Sequence, residues 1–519
     1  MKWSKPEANS CGNPTILLRY QQVMVIKNQP TNLMKRLYIA SLAILLLTFG
    51  TMTSCTNDFE EINTDPNNPV SIAPSLLLPN AIQVVADRYW GHSTRYERLN
   101  IDAAMCWIQH LSRNIYINAE GDSYEIPLTI SSGTWNNLYR DALINFEKVK
   151  SLSEPGGPYE NPNYVGIAMV MQSFTYAYLT DVFGPIPYSE ALKGTAEEAI
   201  NSPKYDSMEE VYAGILGDLM DANEYLSTSG PAVVGDIMFN GDIMKWKRFA
   251  NSLALRIANR QAAKKPAESK AIMSQILSDP AKYPVIESNS QAAELIHFDV
   301  IGSRNKMFDV FSTRSDWNIS STLINKLLEL DDDRITVYAQ PLEDGSYAGL
   351  PNGLTDAAAG NYNASRIGLK YLDPTAPSVL MTYAEVEFIK AEAALDGDIE
   401  GDASKFLESA IKASFNQQGL TMPSDYMSRI GGVTKESIMT QKWIALFGQG
   451  VEAWNEYRRT GYPVMPAPNP SAVFSNEGVL PTRIEYPTSE YSLNKANLDE
   501  GVSKLGGSDN MRTPLWWVE

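Results

Sequence analysis

Only three cysteines (Cys11, Cys55, Cys106) and three histidines (His92, His110, His297) occur in 519 residues. That scarcity excludes a Cys/His zinc module, and no two histidines stand at H-x-x-x-H spacing. The usual catalytic signatures are missing as well. There is no G-x-S-x-G nucleophile elbow and no G-x-x-x-x-G-K phosphate loop. Gly448-Gln449-Gly450-Val451-Glu452-Ala453 matches G-x-G-x-x-A by letter. It follows the helical run TQKWIALF, whereas dinucleotide binding needs a strand there, so a helix break or close helix packing is expected. Asp331-Asp332-Asp333-Arg334 lacks the alternating ligands and glycine of a calcium loop, and reads as an acidic turn that Arg334 partly neutralises. No cofactor and no metal is implied. A glycosidase needs only two carboxylates placed by the fold, so a hydrolase stays open at this level.

Positive charge is also scarce. Lys and Arg number 43 against 61 Asp and Glu, for a net charge of −18. A nucleic-acid partner needs a basic stripe, and an anionic lipid surface needs basic clusters, so neither is expected as an electrostatic partner. Aromatic residues are plentiful, with 26 Tyr and 10 Trp. Most should fill the core, but they are also the side chains that stack on sugar rings or pack on peptides.

Near the N-terminus, residues 37–50, LYIASLAILLLTFG, form an uncharged apolar run behind Met34-Lys35-Arg36. Fourteen residues are too few to span a bilayer, which takes about 20, but they suit the apolar centre of a secretory signal. The run ends in Met52-Thr53-Ser54-Cys55, which resembles a bacterial lipobox with Met in place of the usual Leu. Cys55 is therefore the expected lipidation site, and translation is expected to start at Met34. Cleavage before Cys55 would remove six basic residues and one acidic residue, taking the net charge from −18 to −23. It would also remove Cys11, and with Cys55 acylated Cys106 would have no second thiol to pair with. With no intramolecular disulfide possible, an exported chain of this length must rely on its apolar core. Asp58, Glu60 and Glu61 follow the cysteine and resemble the signal that sends lipoproteins of the Bacteroidota to the outer face of the outer membrane. Asp65-Pro66-Asn67-Asn68-Pro69 is turn-forming and suits a tether.

The rest reads as helical. Ser207-Met208-Glu209-Glu210 is a capping box ahead of Val211, Ile215, Leu219 and Leu226 at helical spacing. Thr382-Tyr383-Ala384-Glu385 reads as a second box, opening YAEVEFIKAEAAL, which stops at Asp396-Gly397. ASKFLESAIKASFNQQG follows closely, so the two helices are expected to form an antiparallel hairpin. Further helices are expected at about 75–88, 101–113, 134–152, 163–183, 243–263, 321–330 and 436–458. The stretches 114–133, 295–320 and 335–380 read as long loops, which in a compact domain usually carry function.

Several stretches together resemble the SusD/RagB family of outer-membrane nutrient-binding lipoproteins. They are CTNDFEEINTDPNNP (55–69), YLTDVFGPIPYSEAL (178–192), GDIMKWKRFANSLALRIANR (241–260), YAGLPNG (347–353), MTYAEVEFIKAEAAL (381–395), EAWNEYRRTGYP (452–463), RIEYPTSEYSLN (483–494) and the terminal PLWWVE. Their order is the family's, through essentially the whole chain after Cys55. The resemblance implies an all-α fold of tetratricopeptide-like helical hairpins with long irregular loops and a few short strands. It implies residues 1–54 as an upstream extension and signal peptide, 55–74 as an acylated tether, and 75–519 as one helical domain. It also implies a SusC-like TonB-dependent outer-membrane transporter as partner, over which the lipoprotein sits as a lid, and a binding role without catalysis. The ligand would be an oligosaccharide, or alternatively a peptide or glycopeptide; a lipid-anchored glycoside hydrolase is the competing class.

A sugar ring stacks its C–H face on a flat aromatic while Asn, Asp or Arg hold its hydroxyls. STRSDWNIS (312–320) has that composition: Trp317 flanked by Arg314, Asp316 and Asn318, just before a helix. It is expected to be an exposed ligand contact. Trp90 in RYWGH, Tyr116 and Tyr124 with Asn118 and Asp122 in RNIYINAEGDSYE, and Tyr347 in DGSYAGLPNG are further candidates.

Overall fold

A computed structural model describes residue 32 and residues 72–518, apart from 92–93, 95–96, 118–120 and 195–198. The signal run, Cys55, the acidic residues behind it, the tether, His92 and Asn118 lie outside the described residues.

The body from Ile72 to Glu519 is built of helices: α1 (Pro74–Trp90), α2 (Ile144–Ser153), α3 (Pro162–Phe183), α4 (Met208–Tyr225), α5 (Ile243–Arg260), α6 (Pro266–Ser278), α7 (Ser321–Glu329), α8 (Tyr383–Leu395), α9 (Ala403–Gln417), α10 (Lys435–Ala445) and α11 (Gly450–Thr460). Neighbours in sequence pack on one another, α2 on α3, α3 on α4, α4 on α5, α5 on α6 and α8 on α9. These are stacked helical hairpins, as the all-α expectation required. Helix α3 lies at the centre, with almost every side chain buried, and stops at Gly184, whose φ of 95° suits glycine. Helix α5 buries Trp246, Phe249, Leu253 and Leu255.

Local sequence accounts for several ends. At α4 the Ser207 hydroxyl accepts from the Glu210 N–H at 3.2 Å, and the Glu210 carboxylate accepts from the Ser207 N–H at 2.7 Å. This reciprocal pair satisfies two otherwise orphaned donors. At α8 only half of the expected box forms. Thr382 accepts from the Glu385 N–H at 3.0 Å, but the Glu385 carboxylate turns away to a two-pronged pair with Arg256, both bonds 2.6 Å. A buried guanidinium outcompetes a backbone N–H for that carboxylate.

Two of the expected helices are interrupted. The 436–458 stretch breaks into α10 and α11 at Gly448, whose φ is 93°. The 101–113 stretch ends its helical turns at Trp107, and Leu111–Arg113 is strand β1. It pairs antiparallel with β3 (Trp317–Ile319), and β2 (Ala293–Leu295) pairs antiparallel with β4 (Ser378–Met381). The Asp332–Arg334 turn is neutralised as expected, by a buried pair at 2.6 Å. Cys106 is buried, its thiol donating to the Ile101 carbonyl at 3.7 Å. No helix of the described residues is long and apolar enough to cross a membrane.

Candidate functional site

The β1–β3 ladder positions the site. Its register sets Leu111 opposite Ile319, Ser112 opposite Asn318 and Arg113 opposite Trp317. The segment leaving β1 and the segment entering β3 therefore emerge side by side. The Asn114 N–H donates to the Asp316 carbonyl at 2.9 Å, and its amide donates to the Ser315 carbonyl and to Asn318 Oδ1, both at 2.7 Å. Between the two segments lies an open groove of about 630 Å³, with Asn114, Tyr116, Arg314, Asp316 and Arg366 among its walls.

Tyr116 is held in the left-handed region, φ 60°, with its side chain 46% exposed. A side chain in that conformation needs support from its surroundings. Asp356 supplies it by accepting from the Tyr116 N–H at 3.1 Å and the Ile117 N–H at 2.9 Å. Beneath them, Ile117 joins Leu350, Leu354 and Ala359 in a small apolar cluster of its own. Arg314 donates to Asp316 at 3.0 Å. The groove thus offers an aromatic ring beside a guanidinium, a carboxylate and amides, the mixture that grips a polyhydroxylated ligand.

The structure corrects the expectation for Trp317. It is 1% exposed, on β3, with the Arg113 guanidinium 4.7 Å and that of Arg98 5.4 Å from its ring centre, and Phe311 against it. It is not a wall of the groove and offers no face to a ligand. Its polar neighbours are spent within the protein: Arg314 donates to Asp316 at 3.0 Å, and the buried Asn318 donates its amide to the Ala364 carbonyl at 2.7 Å. Arg314 and Asp316 do line the groove.

The other candidates disperse. Tyr124 is buried and stacks on Phe474, ring centres 4.3 Å apart, at a separate recess of about 220 Å³ that shares no wall residue with the groove. Asp122 lies below it, buried, accepting from the Gly353 N–H and the Asn352 amide. Burial pushes its carboxyl up to about 6, although those hydrogen bonds pull the other way. Trp90 is buried, its indole N–H donating to the Val379 carbonyl at 2.7 Å, and it lines a different cavity. Tyr347 packs half-buried against the main core and is not a wall of the groove. Sequence reasoning passed over Asn114 and Arg366, although both lie in or beside stretches recognised as long loops. Only the tertiary structure, which sets both on the walls of one groove, marks them out.

Comparison with known proteins agrees over most of the chain. A family model described as SusD-like, starch-binding associating with outer membrane, matches residues 66–487. Among solved structures, a chitin-binding protein superposes with a TM-score of 0.75 at 27% identity, covering 86% of this chain and all of that one. A SusD homolog from Bacteroides uniformis gives 0.74 at 26% identity over 85% and 99% of the two chains. A chitin-binding SusD homolog from Flavobacterium johnsoniae gives 0.73 at 24% identity over 85% and 98%, a likeness of fold. No curated protein matches.

Proposed function

Because the chain belongs to the SusD-like family of outer-membrane nutrient-binding proteins, we propose that it captures an oligosaccharide in the groove beside the β1–β3 ladder. Family membership makes it a surface lipoprotein of the outer membrane that binds nutrient without turning it over. It also implies pairing with a SusC-like transporter. We read the pairing as a lid closing over the TonB-dependent barrel, with the groove delivering its cargo inward.

The observation that carries the ligand reading is the composition of the groove. Tyr116 stands exposed there among Asn114, Arg314, Asp316 and Arg366. A flat ring with hydroxyl-binding groups on both sides suits a sugar better than an apolar peptide. Chitin and starch oligosaccharides are the first to try. One similar protein is chitin-binding, and the family description names starch.

The test is calorimetric titration of the purified protein with chito- and malto-oligosaccharides. Saturable binding that Tyr116→Ala and Arg314→Ala each weaken, with melting temperature retained, supports the reading. Saturable binding of peptides alone replaces the ligand class. Hydrolysis of a bound glycan turns the protein into a hydrolase.

A further inference from the structure

Four large apolar side chains within six residues stand open to solvent on the turn that follows β2. Ile296 is half-exposed, and Phe298, Val300 and Ile301 are 64%, 63% and 89% exposed. Soluble proteins seldom leave such a cluster uncovered, and one that persists marks a protein or membrane contact. The turn is internally braced. The Phe298 N–H donates to the Ser303 carbonyl at 3.2 Å, the Val300 N–H to the Phe298 carbonyl at 2.7 Å and the Ser303 N–H to the Val300 carbonyl at 2.9 Å. The buried His297 roots its base, donating from Nδ1 to the Ser303 carbonyl at 2.9 Å and meeting the Ser378 hydroxyl on β4 at 2.8 Å. Asp299 is the one acidic or basic residue between Ile296 and Ser303, and Arg304 cancels it at 2.7 Å.

The turn leans on α1. The Gln83 amide donates to the Gly302 carbonyl at 2.7 Å, and Lys306 Nζ reaches the same oxygen at 3.4 Å. Leu76, Asn80 and Gln83 recur at helical spacing and so share one face of α1. Leu76 is exposed, about two helical turns nearer the start of the helix. At that end the 234–237 segment packs close: a Cβ on Gly235 would come within 2.3 Å of the Ser75 carbonyl oxygen, and Val234 and Ile237 on either side of it are exposed. Exposed apolar side chains thus flank α1, the helix by which the chain from Cys55 enters the body. Ile72 follows Cys55 by 17 positions, a reach of roughly 60 Å at full extension.

We propose that the 296–301 turn dips into the outer leaflet of the outer membrane, a second point of attachment beside the acylated Cys55. The inference rests on the assignment as an outer-membrane lipoprotein and not on the groove. Two observations favour lipid over a protein partner. Backbone groups of the turn are spent on the turn itself, on His297 and on Gln83, as insertion beside acyl chains requires, where water cannot satisfy them. The lipid anchor also enters the fold by the helix on which the turn leans. An acidic surface opposes an electrostatic lipid contact but not an apolar one, whose strength follows the apolar area buried. Two attachments fix the orientation of the body over the leaflet, which a single tether of that length leaves free.

Site-directed spin labelling tests this on the acylated protein reconstituted in phosphatidylcholine/phosphatidylglycerol vesicles. Cys55 is blocked by its lipid and Cys106 is buried, so a label on Ile301→Cys reports the turn alone. Val473→Cys, exposed on another loop, is the reference. Relative to 473, the label at 301 should gain collisions with oxygen and lose collisions with a water-soluble nickel chelate. Adding Phe298→Asp to Ile301→Cys should reverse both shifts. Phe298→Cys in the otherwise native chain repeats the measurement, so the test survives poor folding of either variant. Equal chelate access at 301 and 473 would overturn the proposal. So would shielding at 301 that appears only when a membrane extract supplying the transporter is added, which would make the turn a protein interface. Intact mass reads the anchor separately. An acylated protein with a water-exposed turn overturns this inference alone, whereas an unacylated one overturns the lipoprotein reading with it.

Discussion

The guanidinium of Arg113 lies 4.7 Å from the centre of the Trp317 ring, and the two residues are partners across the β1–β3 ladder. Arg98 adds a second guanidinium at 5.4 Å, itself bonded to the buried carboxylate of Asp102 at 2.9 Å. The tryptophan thereby closes a charged, fully buried layer, and its worth is structural. Trp317→Ala should cost about 3–5 kcal/mol, the range for deleting a large buried aromatic. Denaturant unfolding measures it. Unaltered stability together with lost oligosaccharide binding would return Trp317 to the ligand site.

Glu392 governs part of the acid stability. It is buried on α8, and burial alone would raise its pKa. Arg459 overcomes this with bonds of 2.8 and 2.7 Å to the two oxygens, helped by Lys435 at 2.9 Å, and the carboxyl falls to about 2. A carboxyl depressed in the folded state contributes stability that is complete above its ordinary value near 4.5 and is lost as pH falls toward 2. The contribution is about 3 kcal/mol at neutral pH. Glu392→Gln should therefore lower the melting temperature at pH 7 and flatten its fall between pH 5 and pH 2. A variant whose acid profile runs parallel to that of the parent would sink this account.

Arg256 and Glu385 form another buried pair, joining α5 to α8. Arg256→Met would leave Glu385 as an uncompensated buried charge and should destabilise by about 3–5 kcal/mol. The double variant Arg256→Met/Glu385→Leu should recover much of the loss. Equal destabilisation by the single and double variants in urea titrations would show that the geometry of the pair, and not its charge balance, is what matters.

Cys55 is the proposed anchor. Cys55→Ala should abolish lipid attachment and shift the protein out of the outer-membrane fraction or leave the precursor uncleaved. Metabolic labelling with a fatty-acid probe, followed by fractionation, reads both. Normal labelling of the variant would move the anchor elsewhere.

A transporter lid should bury much of one face, beyond the roughly 2,000 Å² of larger permanent interfaces. Gentle detergent extraction from the native membrane should co-purify a large β-barrel protein with this chain. Isolation of the chain alone, even after crosslinking, counts against the lid arrangement.

The hairpins were legible in the sequence because their signals are local. Ser207 and Glu210 are three residues apart, and the α8–α9 pair is written in apolar spacing with Asp396-Gly397 between. The site was legible only as loops of unusual length with aromatics in them. Of the residues expected to meet a ligand in that segment, Arg314 and Asp316 line the groove, whereas Trp317, one residue on, is buried. Its polar flanks suggested exposure, but Arg314 pairs with Asp316, Asn318 bonds Asn114 and the Ala364 carbonyl, and a strand two hundred residues away covers the ring.

The amino-acid sequence by itself determined the helical body, the hairpin signals and the family likeness, because the first two rest on spacing within a few residues and the third on recognisable stretches in order along the chain. The tertiary structure alone decided which aromatics face a ligand. Exposure depends on what packs against a ring, and for Trp317 that is Arg113 and Arg98, for Tyr124 it is Phe474, and for Trp90 it is Gly448 and the β4 carbonyl of Val379. Tyr116 stays open because Asp356 holds its backbone in a conformation that turns the side chain away from the core, a contact made across 240 residues.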